Sequence, residues 1–508
     1  MRTRFAAIIG LAAAFCLSRA GLGQDLASFE KRITVKKLDN GLTVIVCERP
    51  VAPVFSFFTH VDAGASQEEV GQTGLAHMFE HMAFKGTDKI GTTDYAAEKV
   101  ALEKVEKAFA EYETARQKTV GRDEKEVAEK QKTFNAAVAE ADKYVVKNAF
   151  GEIVEREGGV GLNAFTNEDE TGYHFSMPSN RVELWAYLES ERFLHPVFRE
   201  FYKERDVVHE ERRMRTDSNP IGRLIEQFLA AAYNAHPYGR PVVGWPSDLN
   251  SYSATDAAKF FRRYYIPSDM VVAVVGDVKA SETLPTIEKY FARIPKAPQP
   301  EPLRTVEPPQ IAEKEVVLHD PSQPFYIEGY HRPDVRDKDD VVYDAISDLM
   351  TSGRTSRLYR SLVRDKKIAA QAAGFSGFPG NKYPNLFVFF AVPTPGKTTA
   401  EIGAAIHAEI ERLKNEDVSD AELAMIKTRA KANLIRQLNS NGGLAQQLAT
   451  MESLFGDWRE LFRQVDRLDK VTKADIRRVA NATFTAPNRT VARIETKAEE
   501  TGRQEKKS

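Results

Sequence analysis

The sequence predicts an α+β protein made of two similar halves, each an antiparallel sheet packed with helices. Three observations carry this. Strand-like and helix-like stretches alternate on both sides of the chain's middle. Between them, residues 295–310 hold Pro295, Pro298, Pro300, Pro302, Pro308 and Pro309, the composition of a semi-rigid linker. The third is a weak internal repeat. Ala474-Asp475-Ile476 leading to Ala486-Pro487-Asn488 parallels Thr255-Asp256-Ala257 leading to Ile266-Pro267-Ser268, with Asp475 lying 219 positions after Asp256. In each copy a helix ends at a proline turn and a strand follows, Met270 to Val275 and Thr490 to Ile494.

The chain opens with a basic Met1-Arg2-Thr3-Arg4, an apolar run from Phe5 to Leu17 and the small residues around Ala20. That pattern predicts a signal peptide over residues 1–23 and export to a periplasmic or secreted location. The run is too short for a comfortable membrane span, and no other stretch qualifies. Ala14-Phe15 before Cys16 makes a poor lipidation site. Beyond the signal only Cys47 remains, so the mature chain relies on its core and not on an internal disulfide. A net charge of −2 gives no case for a nucleic-acid partner, and 42% hydrophobic residues supply ample core.

The elements of the first half, residues 24–294, follow in order. Ile33 to Lys37 and Leu42 to Cys47 read as strands joined by the tight turn Asp39-Asn40-Gly41, with a third strand over Val54 to Val61. An apolar helix follows Gly71-Gln72-Thr73-Gly74. From Tyr95 to about Val146, Ala, Glu and Lys dominate and Val120-Gly121 interrupts, predicting a helical hairpin, an insertion over about 95–150. Its expected role is a solvated appendage, a dimer contact or a substrate gate. Strands then come at Asn163 to Thr166 and Thr171 to Met177, and helices at Arg181 to Phe193, Ile221 to Ala232 and Ala257 to Tyr265. The second half is expected over residues 311–496, with a charged, disordered tail from 497 to 508.

The chemistry concentrates in His77-Met78-Phe79-Glu80-His81. On a helix, i and i+4 share a face, so both imidazoles can address one metal ion. Glu80 sits beside that face, where a carboxylate can deprotonate a water. The surrounding Leu75, Ala76, Met78, Phe79, Met82 and Ala83 predict burial, and buried ionisable groups need partners or a metal. A catalytic zinc takes three protein ligands and leaves one position open. The third is sought in the helical stretch Tyr202 to Arg215, where Glu204 and Glu211 lie two turns apart on one face and Glu210 points elsewhere. One of the pair would ligate while the other orients a ligand, or the stretch is an ordinary charged helix; the residues alone leave both open.

The inverted H-x-x-E-H motif followed by Glu204-Arg205-x-x-Val208-x-x-Glu211 resembles the pitrilysin, insulysin and mitochondrial-processing-peptidase family of zinc metallopeptidases. Phe84-Lys85-Gly86-Thr87, Asn163-Ala164-Phe165-Thr166 and His236-Pro237-Tyr238-Gly239 extend the likeness. The resemblance implies a zinc endopeptidase in which the halves face each other as a clamshell. It implies one Zn(2+) per chain on His77, His81 and Glu211, Glu80 as general base, and Glu204 behind the ligands. Asn163, Ala164 and Phe165 would offer an edge strand to an extended peptide substrate.

Two departures stand out. His81 and Glu211 lie 130 positions apart, more than the motif usually spans, and the hairpin insertion accounts for the excess. Ser352-Gly353-Arg354-Thr355-Ser356-Arg357-Leu358 resembles the segment before the family's substrate-binding Arg and Tyr; Arg364 fits the first position, but Gln371 holds the second. Either the Tyr is dispensable, or a partner in a homo- or heterodimer supplies the Arg/Tyr pair. The second half lacks H-x-x-E-H, and its counterpart helix, Glu422 to Ile435, carries Lys427, Arg429 and Lys431, so it is not expected to bind zinc. The alternatives are a zinc-bearing subunit inactive without its partner, and a non-catalytic peptide-binding or structural subunit. A structural zinc would need a fourth ligand, for which His174 or His209 would have to move in.

Overall fold

The computed structural model describes residues 26–496; the expected signal peptide and charged tail lie outside them. Two sheets organise the chain. The first has six strands in the order β1 (Ile33–Lys37), β2 (Thr43–Glu48), β6 (Met270–Gly276), β3 (Val54–Val61), β5 (Thr171–Pro178), β4 (Val160–Thr166). The second has five: β7 (Lys314–Asp320), β11 (Arg489–Thr496), β8 (Phe325–Arg332), β10 (Asn385–Pro393), β9 (Ala369–Phe378). Residues between helix Ala280–Phe291 and β7 form neither helix nor strand, and the proline-rich stretch falls there.

The internal repeat takes a definite shape. Helix Ala254–Tyr264 is capped by Ser253 and Asp256 in a reciprocal capping box, and helix Lys473–Thr483 by Thr472 and Asp475 in the same way. Each leads through a proline turn into an inner strand of its sheet, β6 or β11. Those strands return after long excursions and pair parallel with β2 and β7 respectively, while every other pairing is antiparallel. The sheets are therefore mixed, one parallel pair each, where pure antiparallel sheets were expected. A strand that arrives through a helical crossover is free to run parallel to its neighbour.

Each half lends a helix to the other. Helix Pro220–Ala232 of the first half puts Leu224, Phe228 and Leu229 against Ile327, Val388 and Ala492 of the second sheet. Helix Asn441–Phe455 of the second half puts Leu444, Ala445 and Leu448 against Ile45, Phe58 and Ala273 of the first. The two are capped at equivalent places, by Asn219 and Ser440. The halves thus face each other across exchanged helices, and their separate cores lie on the far sides of the two sheets. Cys47 is buried in the second of these interfaces, under helix Asn441–Phe455, where desolvation pushes its thiol up to about 11.

The hairpin consists of helices Tyr95–Gln117 and Glu124–Ala141, joined through Gly121 at φ 68°. Its residues Ala101, Val105, Phe109 and Phe134 belong to the first half's main core. Among the described residues no helix is long and apolar enough to cross a membrane.

Two measurements check this packing. Leu448 is fully buried between the halves, so Leu448→Ala should cost roughly 2–5 kcal/mol of unfolding free energy by denaturant titration. His60, in β3, is ion-paired with Glu170; burial works against its charge, but the Glu170 carboxylate outweighs it and holds the proton above the ordinary histidine range. A raised folded pKa gives stability that is fully present below the unfolded value near 6.5 and lost as pH rises through the folded one. Wild-type stability should therefore fall as pH rises above about 6.5 by more than that of His60→Gln.

Candidate metal centre

Helix Leu75–Met82 buries Leu75, Ala76, Met78, Phe79 and Met82, and Phe79 stacks on Phe261 with 4.8 Å between ring centroids. Its start is held from outside. Gly74 takes φ 91°, and a side chain there would meet the Val243 carbonyl at 2.6 Å. The buried Glu68 carboxylate accepts hydrogen bonds from the Gly74 and Ala76 amides, both at 2.8 Å. Two otherwise orphaned helix donors are satisfied by a group that precedes the helix.

The apolar face fixes the polar one. His77 and His81 project together, ring centroids 4.9 Å apart. Helix Phe201–Arg212 crosses them and brings Glu211 Oε1 to 3.5 Å from His77 Nε2 and Glu211 Oε2 to 3.5 Å from His81 Nε2. One ligand atom from each of the three lies within 4.8 Å of the others, and among the described residues no other group of three or more such side chains is so arranged. Zinc bonds of about 2.0–2.2 Å set tetrahedral ligands roughly 3.3–3.6 Å apart, so the 3.5 Å separations fit such an ion, as does the donor set of two imidazoles and a carboxylate.

Glu204 takes the other side of His81, its Oε2 3.3 Å from Nδ1. Lys85 pairs with Glu204 and, at 3.1 Å, with Glu200. Glu211 is also met by Arg215 at 2.8 Å, where the helix widens into a π turn over Arg213–Asp217. The field is cation-seeking. Burial opposes a charge on His81, yet Glu204 and Glu211 overcome it and hold its proton up to about 9. Hydrogen bonds from His77 and His81 hold the Glu211 carboxyl well below the usual carboxylate range. For Glu204, burial is outweighed by His81 and Lys85, and its pKa is lowered as well.

Beside this group lies a cavity of about 510 Å³, walled by Glu80, His81, Phe84, Asn148, Asn163 and Ala164 among others. Glu80 is half-buried and makes no hydrogen bond or ion pair with the described residues. Strand β4 runs along the cavity as the free edge of the first sheet, paired on one side only, with β5. Asn163 and Ala164 line the cavity, whereas the Phe165 ring packs toward the contact between the halves, 6.0 Å from Phe58. Arg364 is not brought in: it is exposed and bonds its neighbour Asp365, and Gln371 is exposed on the outer strand β9.

Other expectations resolve individually. Glu210 points to solvent and pairs with Arg213 at 2.8 Å. His174 stacks on Phe58, and neither it nor His209 joins the three-residue group. Tyr238 of the His-Pro-Tyr-Gly segment donates to Asp169, which also accepts from the Asn381 and Lys382 amides and so ties the halves together. In the second half the counterpart helix Asp420–Gln437 spends Lys431 and Arg429 on Asp469 and Asp348. The sequence reading gave no role to Lys85 or Glu68. Lys85 lies in the Phe84-Lys85-Gly86-Thr87 segment just past the end of the histidine helix; nothing near Glu68 marks it as a cap.

The pattern of the insulinase family, peptidase family M16, matches residues 43–116 and 135–245, and that of the peptidase M16 inactive domain matches 251–430. The chain belongs to peptidase family M16. It is similar to the zinc protease PqqE of Helicobacter pylori, 29% identical over 391 residues that make up 75% of this chain and 74% of that protein. The crystal structure of a protease from Helicobacter pylori superimposes with a TM-score of 0.75 at 27% identity, covering 91% of this chain and 99% of that one. The periplasmic protease PqqL from Escherichia coli shares the fold, with a TM-score of 0.67 at 19% identity; 92% of this chain matches 48% of that one. The inactive-domain match falls mainly on the half whose described residues hold no metal-ligating group.

Replacing Glu68 tests the support beneath the histidines. Glu68→Ala leaves two buried amides unsatisfied and should cost roughly 2–5 kcal/mol of stability by denaturant titration, with Glu68→Gln losing less because one oxygen still accepts.

Proposed function

We propose that the chain is a zinc-dependent endopeptidase acting on peptides or unfolded polypeptide segments. The observation that carries this reading is the meeting of His77, His81 and Glu211 beside an unpaired Glu80, in a cavity bordered by a free strand edge. His77, His81 and Glu211 are the ligands of one Zn(2+), and Glu204 orients His81 through its Nδ1. When bound, the ion supplies Lewis-acid activation of a water and of the scissile carbonyl. Glu80 takes the water's proton and returns it to the leaving amine. The edge of β4 at Asn163 and Ala164 pairs with the substrate main chain, which accepts many sequences because backbone groups do the binding; Phe165 contributes its backbone and not its ring.

A second reading, the zinc-bearing subunit that needs a partner, is favoured by one observation. Arg364 and Gln371 are exposed and line no part of the cavity, so groups that steady the substrate carbonyl would come from another chain, a second copy or a related subunit. A periplasmic or secreted location is proposed from the signal-like start and is in keeping with the likeness to PqqL.

Purified mature protein with zinc restored, assayed on a mixed set of quenched peptides, tests both readings. The expected outcome is one equivalent of bound zinc in wild type and in Glu80→Gln, with kcat/KM lowered roughly 10²–10⁴-fold in the variant. Zinc binding with no cleavage by wild type would support the partner reading, and failure to bind zinc would end both.

A further inference from the structure

We propose that the helical hairpin is a splint for the metal centre, with Glu98, Phe109 and Phe134 as positioning residues for ligands they never touch. The inference rests on the proposed zinc site and goes beyond it by giving the insertion a role.

Three sets of contacts run from the hairpin to the two ligand-bearing helices. The first is buried. Arg199, immediately before the carboxylate helix, is 1% exposed and uses all its donating nitrogens. Nε and Nη2 donate to Glu98 of the hairpin at 2.8 and 3.1 Å. Nη1 donates to the carbonyls of Lys85 and Ile90 at 2.6 and 2.9 Å, and Nη2 to that of Thr87 at 2.7 Å. One guanidinium thus fastens the segment leaving the histidine helix to the segment entering the carboxylate helix, and Glu98 holds it in place. A buried ion pair is tolerated only when its hydrogen bonds are complete, as they are here.

The second set is aromatic. Tyr202, two residues before Glu204, packs its ring against Phe109 at 4.6 Å and edge-on against Phe134 at 4.9 Å. Its hydroxyl donates to Glu106 at 2.7 Å. Arg205, on the other side of Glu204, lays its guanidinium over Phe109 at 5.1 Å. The third set is a line of charges. Asp142, at the hairpin's end, pairs with Lys203 at 2.7 Å; Lys203 faces Glu200 at 3.7 Å; Glu200 holds Lys85, which holds Glu204 against His81. These links are partly exposed and individually weak, so they set geometry more than stability.

A solvated appendage would not share the core that backs the histidine helix, yet Phe109 and Phe134 do. The M16 pattern skips residues 117–134, so Phe134 ends the stretch it leaves unmatched. Metal bonds tolerate displacements of only about 0.2 Å, and removing a group that orients a ligand lowers metal affinity about 10–100-fold.

The test uses the full mature chain and zinc itself, with affinity read by competition against a chromophoric chelator and ligand geometry by the visible spectrum of the cobalt-substituted protein. Phe134→Ala is expected to weaken zinc binding about tenfold or more and to alter the cobalt bands, with Phe134→Leu restoring most of the affinity. Glu106→Ala, a half-exposed change that keeps the core, should shift both readouts the same way and decides the matter if Phe134→Ala does not fold. Lys132→Ala, exposed on the second hairpin helix, is the control and should move neither. If the folded variants bind zinc within twofold of wild type with unchanged cobalt spectra, the splint is wrong and the zinc site stands. If wild type binds no zinc, both are overturned.

Discussion

Two imidazoles on one helix and a carboxylate on another, 130 residues beyond the nearer of them, meet within 4.8 Å, and much of the first half is arranged around that constraint. A helix can align residues four apart through its own hydrogen bonds, but it cannot set the distance to a second helix. Here that distance is set by neighbours. Glu68 and Gly74 seat the start of the histidine helix, Arg199 bridges the segment leaving it to the carboxylate helix, and Tyr202 anchors the latter in the hairpin. Carboxylates surround the imidazoles there: Glu204 and Glu211 both approach His81, and Glu80 stands next to it in sequence.

The second half contributes structure of another kind. Its helix Asn441–Phe455 closes the face of the first sheet opposite the first half's own core, and it receives Pro220–Ala232 in return. Neither half could shed its partner without exposing a large apolar sheet face. This accounts for a half that repeats the fold while its described residues hold no metal group: the repeat is needed to cover the sheet, and sheet coverage makes no demand for histidine. The Asp169 link from the turn after β4 to Tyr238 and to the loop of Asn381 and Lys382 extends the same dependence to the edge strand beside the cavity.

Much of this was legible one residue at a time. The 3.6-residue period put His77 and His81 on one face, and the seven-residue interval put Glu204 and Glu211 on another. Asp39-Asn40-Gly41 and the proline turns marked the ends of elements. The strands β7 to β10 went unplaced: β8 and β10 are buried on both faces and carry little alternation to read, and β7 and β9 are edge strands of mixed polar, apolar and small residues. Phe165 was grouped with Asn163 and Ala164 by adjacency, yet it alternates with Ala164 across the strand, and its ring belongs to the contact between halves.

The sequence by itself determined the local geometry of the chemistry: which residues share a helical face, which donor types are available, and that the first half alone carries H-x-x-E-H. It did so because helix and strand periods are properties of the backbone and need no distant contact. Tertiary structure alone decided that Glu211 faces both imidazoles while Glu204 lies behind one, that the sheets are mixed, and that the halves exchange helices. It also decided that the hairpin grips the carboxylate helix. Each of these depends on the rotation and spacing of elements a hundred or more residues apart, which packing volume and buried hydrogen bonds select and no local pattern encodes.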